Sequence, residues 1–241
     1  MNIYWSVYFN PIQKILAELN FSEPQNLYDT QILNEKIEGD PFDVDFRLCP
    51  SVKDLTKKIY TLKFPYDYTI DIERKINYVS SRMYDQNFFD QYVQLRSIES
   101  GLISFRLYYI FFSEEEVEAQ TSGAYFSNNS FTNNTRIIPG KLNIGKWFRP
   151  LDCAFLINEG VNELVTNKGD DYCYVNFLTN EDITLKRFHM TDTLNKILAQ
   201  NIDAKTYMKK RFRPLGYWYD HFLQSKQKSL ILKEIKENLM E

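Results

Sequence analysis

The sequence predicts a mainly β fold, an antiparallel sandwich or barrel and α+β overall, with a helical C-terminal extension. Three observations predict it. Tyr (17) and Phe (18) are abundant while Gly (8) and Pro (8) are scarce, and bulky rings pack well on a pleated surface. Between residues 137 and 188, short apolar runs alternate with corners such as Asn158-Glu159-Gly160 and Asn167-Lys168-Gly169-Asp170. Asn and Gly suit such corners because they tolerate positive φ. Beyond residue 190 the apolar spacing becomes helical. The 241 residues therefore divide into a β-rich core domain, 1–190, with a short N-terminal helix, and a helical extension, 191–241, packed on that core.

In chain order, IYWSVYF (3–9) is an expected strand ended by Asn10-Pro11. Pro11 opens a helix over 11–19 with Ile12, Ile15, Leu16 and Leu19 on one face. VDFRLCP (44–50) is a further strand. IYTLKFP (59–65) and YTIDI (68–72) form a strand pair, the first alternating Ile59, Thr61, Lys63 with Tyr60, Leu62, Phe64. The segment 86–112 holds two more strands and ends in ISFRLYYIFF (103–112), apolar enough to be buried on both faces. Runs at 152–158, 162–166, 171–178 and 183–188 predict an antiparallel meander or half of a sandwich. Thr191 or Asp192 caps a helix, Arg213-Pro214-Leu215-Gly216 interrupts, and 217–240 forms one amphipathic helix. Its expected buried stripe is Leu223, Leu230, Ile231, Ile235 and Leu239.

Charge and motifs narrow the function. A net charge of −3 and a pI near 5.6 provide no general field for nucleic acid. Cys49, Cys153 and Cys173 show no paired spacing, which suits a reducing compartment. The N-terminus lacks the pattern of a secretory leader, and no apolar run reaches bilayer length. His189 and His221 stand outside any metal-ligand motif, and phosphate-loop, dinucleotide and serine-elbow signatures are missing. No metal and no cofactor are expected.

Four constellations remain. Trp147 and Arg149 come after a glycine-bounded turn in IPGKLNIGKWFRP (138–150). An arginine beside an aromatic face can clamp a carboxylate or phosphate, although a buried Trp with a paired Arg explains the same residues. FSEEEVEA (112–119) predicts a capping box, Ser113 with Glu116, and offers Glu114, Glu115 or Glu118 as a cleft base; the polar loop 121–134 comes next. Lys205, Lys209, Lys210, Arg211 and Arg213, interleaved with Tyr207, Phe212, Tyr217, Trp218 and Tyr219, suit a solvated or docking face better than a single-strand groove. Asp170 and Asp171, a carboxylate pair that could bind a divalent ion, read better as a turn before a buried strand.

FSEEEVEAQTSGAYF, IPGKLNIGKWFRPLDCAF and KGDDYCYVNFLTNEDITLKRF together resemble a family of uncharacterised proteins from contractile-tailed marine, cyanophage-like bacteriophages. The likeness runs from IYWS to ILKEIKENL and implies a setting, the infected bacterium's cytoplasm or the virion, without a catalytic residue. The rhythm PG…IG…W…R…LIN…VTNKGDDYCYVNFL also resembles β-clip folds such as the dUTPases, without their glycine-rich tail or catalytic Asp motif. The expected function is a non-enzymatic binding or assembly module for another protein, phage or host. The alternative is an accessory enzyme or binder of a small anionic ligand, with Trp147, Arg149 and one of the glutamates in a barrel pocket.

Overall fold

In the computed structural model the described residues are 1–8, 20–30, 49–73, 78–97, 101–105, 108–207 and 213–240. The expected helix over 11–19 and most of the expected strand over 44–50 lie outside them. The described elements begin with β1 (Asn2–Val7), β2 (Gln25–Asn26), α1 (Pro50–Thr56), β3 (Ile59–Lys63), β4 (Tyr68–Glu73) and β5 (Tyr78–Ser81). Next come α2 (Gln86–Tyr92), β6 (Val93–Ser97), β7 (Leu102–Phe105), β8 (Tyr109–Phe112), β9 (Glu118–Ser122) and α3 (Ser130–Asn134). The chain continues through β10 (Thr135–Ile138), β11 (Lys141–Asn143), β12 (Cys153–Ile157), β13 (Glu163–Thr166), β14 (Asp171–Leu178) and β15 (Thr184–Arg187). Three helices close it: α4 (Asp192–Tyr207), α5 (Leu215–Gln224) and α6 (Gln227–Glu237).

The described strands form four sheets, ordered β15-β1-β8, β10-β12-β7-β6, β11-β9-β14-β3-β2 and β13-β4-β5. The layout is mainly β and sandwich-like, none of the sheets closing into a barrel. Pairing is antiparallel except between β1 and β15, which run parallel from Asn2↔Thr184 to Trp5↔Arg187. The alternative of a meander over 137–188 is overturned, because no two consecutive strands from β10 to β15 pair with each other. The corners are as expected: Gly169 sits at φ +92° and Asp170 Oδ2 accepts the Asn167 amide at 2.9 Å. Beyond each corner the chain crosses to another sheet, a step set by which apolar face is still uncovered rather than by the turn.

Three local expectations change for similar reasons. Residues 103–112 are two strands in different sheets, β7 and β8, not one. Both are apolar because both are covered on two sides by neighbouring layers. Residues 86–92 are helical, started by Asp85, whose side chain accepts the Asn87 amide at 2.9 Å. No helix starts at Ser113. Its hydroxyl accepts the Glu115 amide at 3.1 Å in a local turn, and the chain enters β9 at Glu118. The Ile144 amide donates to the Val117 carbonyl at 2.8 Å, so tertiary pairing outweighs the capping signal.

Two large apolar clusters, and a small third one of Leu27, Ile59, Ala124 and Tyr174, hold the molecule. The larger gathers Trp5, Phe64, Phe105, Phe131, Tyr172 and their neighbours between the sheets, packed largely edge to face. The second joins the helices to the β15-β1-β8 sheet through Tyr4, Phe112, Phe148, Trp218, Ile231 and Ile235. The expected single helix over 217–240 is instead α5 and α6, broken at Lys226, which has φ 56°. This break rotates the stripe: Ile231 and Ile235 are fully buried, while Leu223 and Leu230 are each 44% exposed. Leu239 is also exposed, although its backbone bridges Phe188 at the open side of β15.

Candidate functional site

Trp147 and Arg149 lie together where the second apolar cluster meets the sheet. Trp147 is buried and stacks on Trp218 at 5.9 Å with planes 4° apart; the Tyr219 ring meets it edge-on at 6.4 Å. The Arg149 guanidinium lies over the Trp147 ring, 4.8 Å from its centroid. The backbone around Arg149 is tightly held. Asn201 donates to the Phe148 carbonyl at 3.1 Å, Pro150 bridges Ile110, and the Leu151 amide donates to the Tyr109 carbonyl at 2.9 Å.

Burial pushes the half-buried Arg149 guanidinium down from its ordinary value; Asp152 opposes that shift and the second guanidinium of Arg96 adds to it. Asp152, however, is already engaged. It accepts from Arg96 at 2.9 Å, while Arg96 Nε donates to Ser104 at 2.8 Å. Arg149 has no hydrogen bond or ion pair among the described residues.

The glutamates stand apart from this cluster. Glu114 pairs with Lys236 of α6, and Lys228 donates to its carbonyl at 2.7 Å. Glu118 pairs with Lys141 at 2.8 Å, and neighbouring Glu116 with Lys146 at 2.7 Å. The Glu115 carboxylate has no ion pair among the described residues, while its carbonyl receives the turn at Gly145. A Cβ built on Gly145 would fall 2.0 Å from the Glu115 oxygen, so only glycine fits there. The acidic run thus serves as a seat for the 141–146 turn and α6. None of the three candidate glutamates is among the charges acting on Arg149. Tyr219 lies between the two groups: its hydroxyl accepts the Asn143 amide at 2.7 Å, and Glu118 helps burial raise its pKa.

The loop over 121–134 is ordered by its own side chains. Asn129 caps α3 in a reciprocal box with Thr132 and donates to the Asp171 carbonyl at 3.0 Å. The loop presents Tyr125, 54% exposed, and Phe126, 38% exposed, with ring centroids 4.8 Å apart. Tyr125 rests edge-on against buried Tyr174 at 5.0 Å. Behind the loop, Asp171 is buried, and Thr61 donates to its carboxylate at 2.9 Å.

Of the basic, aromatic cluster in the tail, the structure describes the side chains of Arg213, Tyr217, Trp218 and Tyr219; Arg213 lies over Tyr217 at 5.7 Å. Among the described residues no group of three or more His, Cys, Asp or Glu is placed to hold a metal ion, and no helix is long and apolar enough to cross a membrane. Cys153 and Cys173 are buried, and burial, with Cys153 adding to it, holds the Cys173 thiol well above its ordinary pKa. A depression of about 390 Å³ between α1 and the end of β14 has Leu55, Lys58 and Leu178 in its wall; Lys58 is occupied, donating to the Thr179 carbonyl at 2.6 Å. Arg96 and Asp152 carry no motif and acquire meaning only through partners distant in the chain, while Asp171, legible in the sequence as part of a turn, is bound to distant Thr61. No protein-family model, curated protein or solved structure matches the chain.

Proposed function

We propose that this is a non-enzymatic binding module, encoded by a phage and acting in the infected bacterium or in the virion, whose partner is another protein. The observation supporting it is the pair Tyr125–Phe126. Two adjoining rings face solvent on a loop whose hydrogen bonds and Tyr174 contact set their positions beforehand. Rigid exposed aromatics suit a protein interface, because they bury large area with little loss of side-chain freedom. The resemblance to uncharacterised proteins of contractile-tailed marine phages supports the setting.

A photo-crosslinking side chain in place of Phe126 tests the reading in infected cells and purified virions. One dominant protein adduct is expected, weakened by Tyr125→Ala and absent when the crosslinker replaces exposed Leu55. The same adducts from both positions, or none from either source, would reject the reading.

A further inference from the structure

We propose that Arg149, held on the ring of Trp147, is the anchor of a binding site for the carboxylate group of a small molecule, with Tyr219 as second donor. This goes beyond the protein-binding reading and stands without it.

The cluster is rich in donors and short of acceptors. Arg149 has no hydrogen bond or ion pair among the described residues, although its guanidinium carries five N–H groups. The Tyr219 hydroxyl receives the Asn143 amide at 2.7 Å, and its own proton has no acceptor among the described residues. The buried Trp218 indole N–H likewise lacks an acceptor there. The carboxylate that acts on Arg149, Asp152, is bound to Arg96 at 2.9 Å.

Charge selects the ligand. Arg149 and Arg96 bring two positive charges and Asp152 one negative, a surplus of one. A single carboxylate cancels that surplus and matches the planar guanidinium fork with two oxygens. A phosphate dianion would leave excess negative charge beside Asp152. Arg149 is also preorganised, since the Phe148 carbonyl, Pro150 and the Leu151 amide are all pinned and Trp147 supports its flat face. Trp147 in turn rests on Trp218, so the support beneath the guanidinium is rigid.

The three tryptophans are Trp5, Trp147 and Trp218, and two of them lie in this stack, which makes intrinsic fluorescence a direct readout. Benzoate, propionate, orthophosphate and chloride are titrated into the full chain at constant ionic strength. A saturable change with benzoate or propionate is expected below about 50 mM, well above the roughly millimolar constant of a weak charged contact, with orthophosphate and chloride weaker. Arg149→Gln should weaken binding about tenfold to a hundredfold, and Tyr219→Phe less. Asp152→Asn should tighten it, because it removes the competing negative charge; a merely structural arginine would not show that gain.

Unchanged affinity in Arg149→Gln, or no carboxylate response beyond the chloride control, overturns the site. Preference for orthophosphate overturns the ligand class. If Arg149→Gln does not fold, Asp152→Asn decides: weaker or equal carboxylate binding rejects the proposal.

Discussion

Asp171 is a carboxylate folded out of water with Thr61 as a hydroxyl donor, and burial raises its pKa from the ordinary 3.8 despite that bond. A carboxyl whose folded pKa is raised binds more protons in the fold than when unfolded. Stability therefore falls as pH rises from 3.8 to the raised folded value, and the loss is complete above it. Asp171→Asn should raise the melting temperature at pH 7, with the advantage over wild type shrinking as pH is lowered through that window. A gap that stays constant from pH 4 to pH 8 would show that ionisation of Asp171 is not its source. Gly145 is governed by space. Gly145→Ala places a methyl against the Glu115 carbonyl and should cost about 1–3 kcal/mol in urea denaturation, the range for an overpacked site. The sequence marks Gly145 as part of a turn, yet the carbonyl that forbids a side chain belongs to a segment far earlier in the chain.

At the scale of elements, the C-terminal helices are divided by a single residue. Lys226 holds φ 56°, a left-handed conformation costly for a side chain with a Cβ. Lys226→Gly should stabilise the protein by about 0.5–1 kcal/mol, the relief outweighing glycine's extra unfolded freedom. The break also decides which residues matter. Ile235→Ala should cost about 2–5 kcal/mol as a core truncation, whereas Leu230→Ala, on an exposed face, should stay within about 0.5 kcal/mol. Equal effects in chemical denaturation would mean that 217–240 is one helix after all. Periodicity cannot separate these leucines and isoleucines, because a continuous amphipathic pattern carries no mark of a break that depends on how the two halves seat on the sheet.

For the whole molecule, the parallel pairing of β1 with β15 brings the N-terminus beside residues 184–187, and the helices cover the same sheet through the second apolar cluster. Trp5 belongs to the first cluster and Trp147 and Trp218 to the second. Variants retaining only Trp5, or only Trp147 with Trp218, should therefore report coincident unfolding midpoints, since the two clusters share β1 and β8 and neither face is covered alone. Separate midpoints would divide the molecule at the helices. The strand character of IYTLK, YTIDI and DYCYVNFL, the corners at Gly160 and Gly169, and the change to helix after Thr191 were all legible in the sequence, because each depends on side chains within a few residues. The order of strands, the split of 103–112, the fate of the Ser113 turn and the isolation of Arg149 from the glutamates were decided only in three dimensions. Each depends on which distant surface covers an apolar face or reaches a charge first, and local spacing holds no record of that competition.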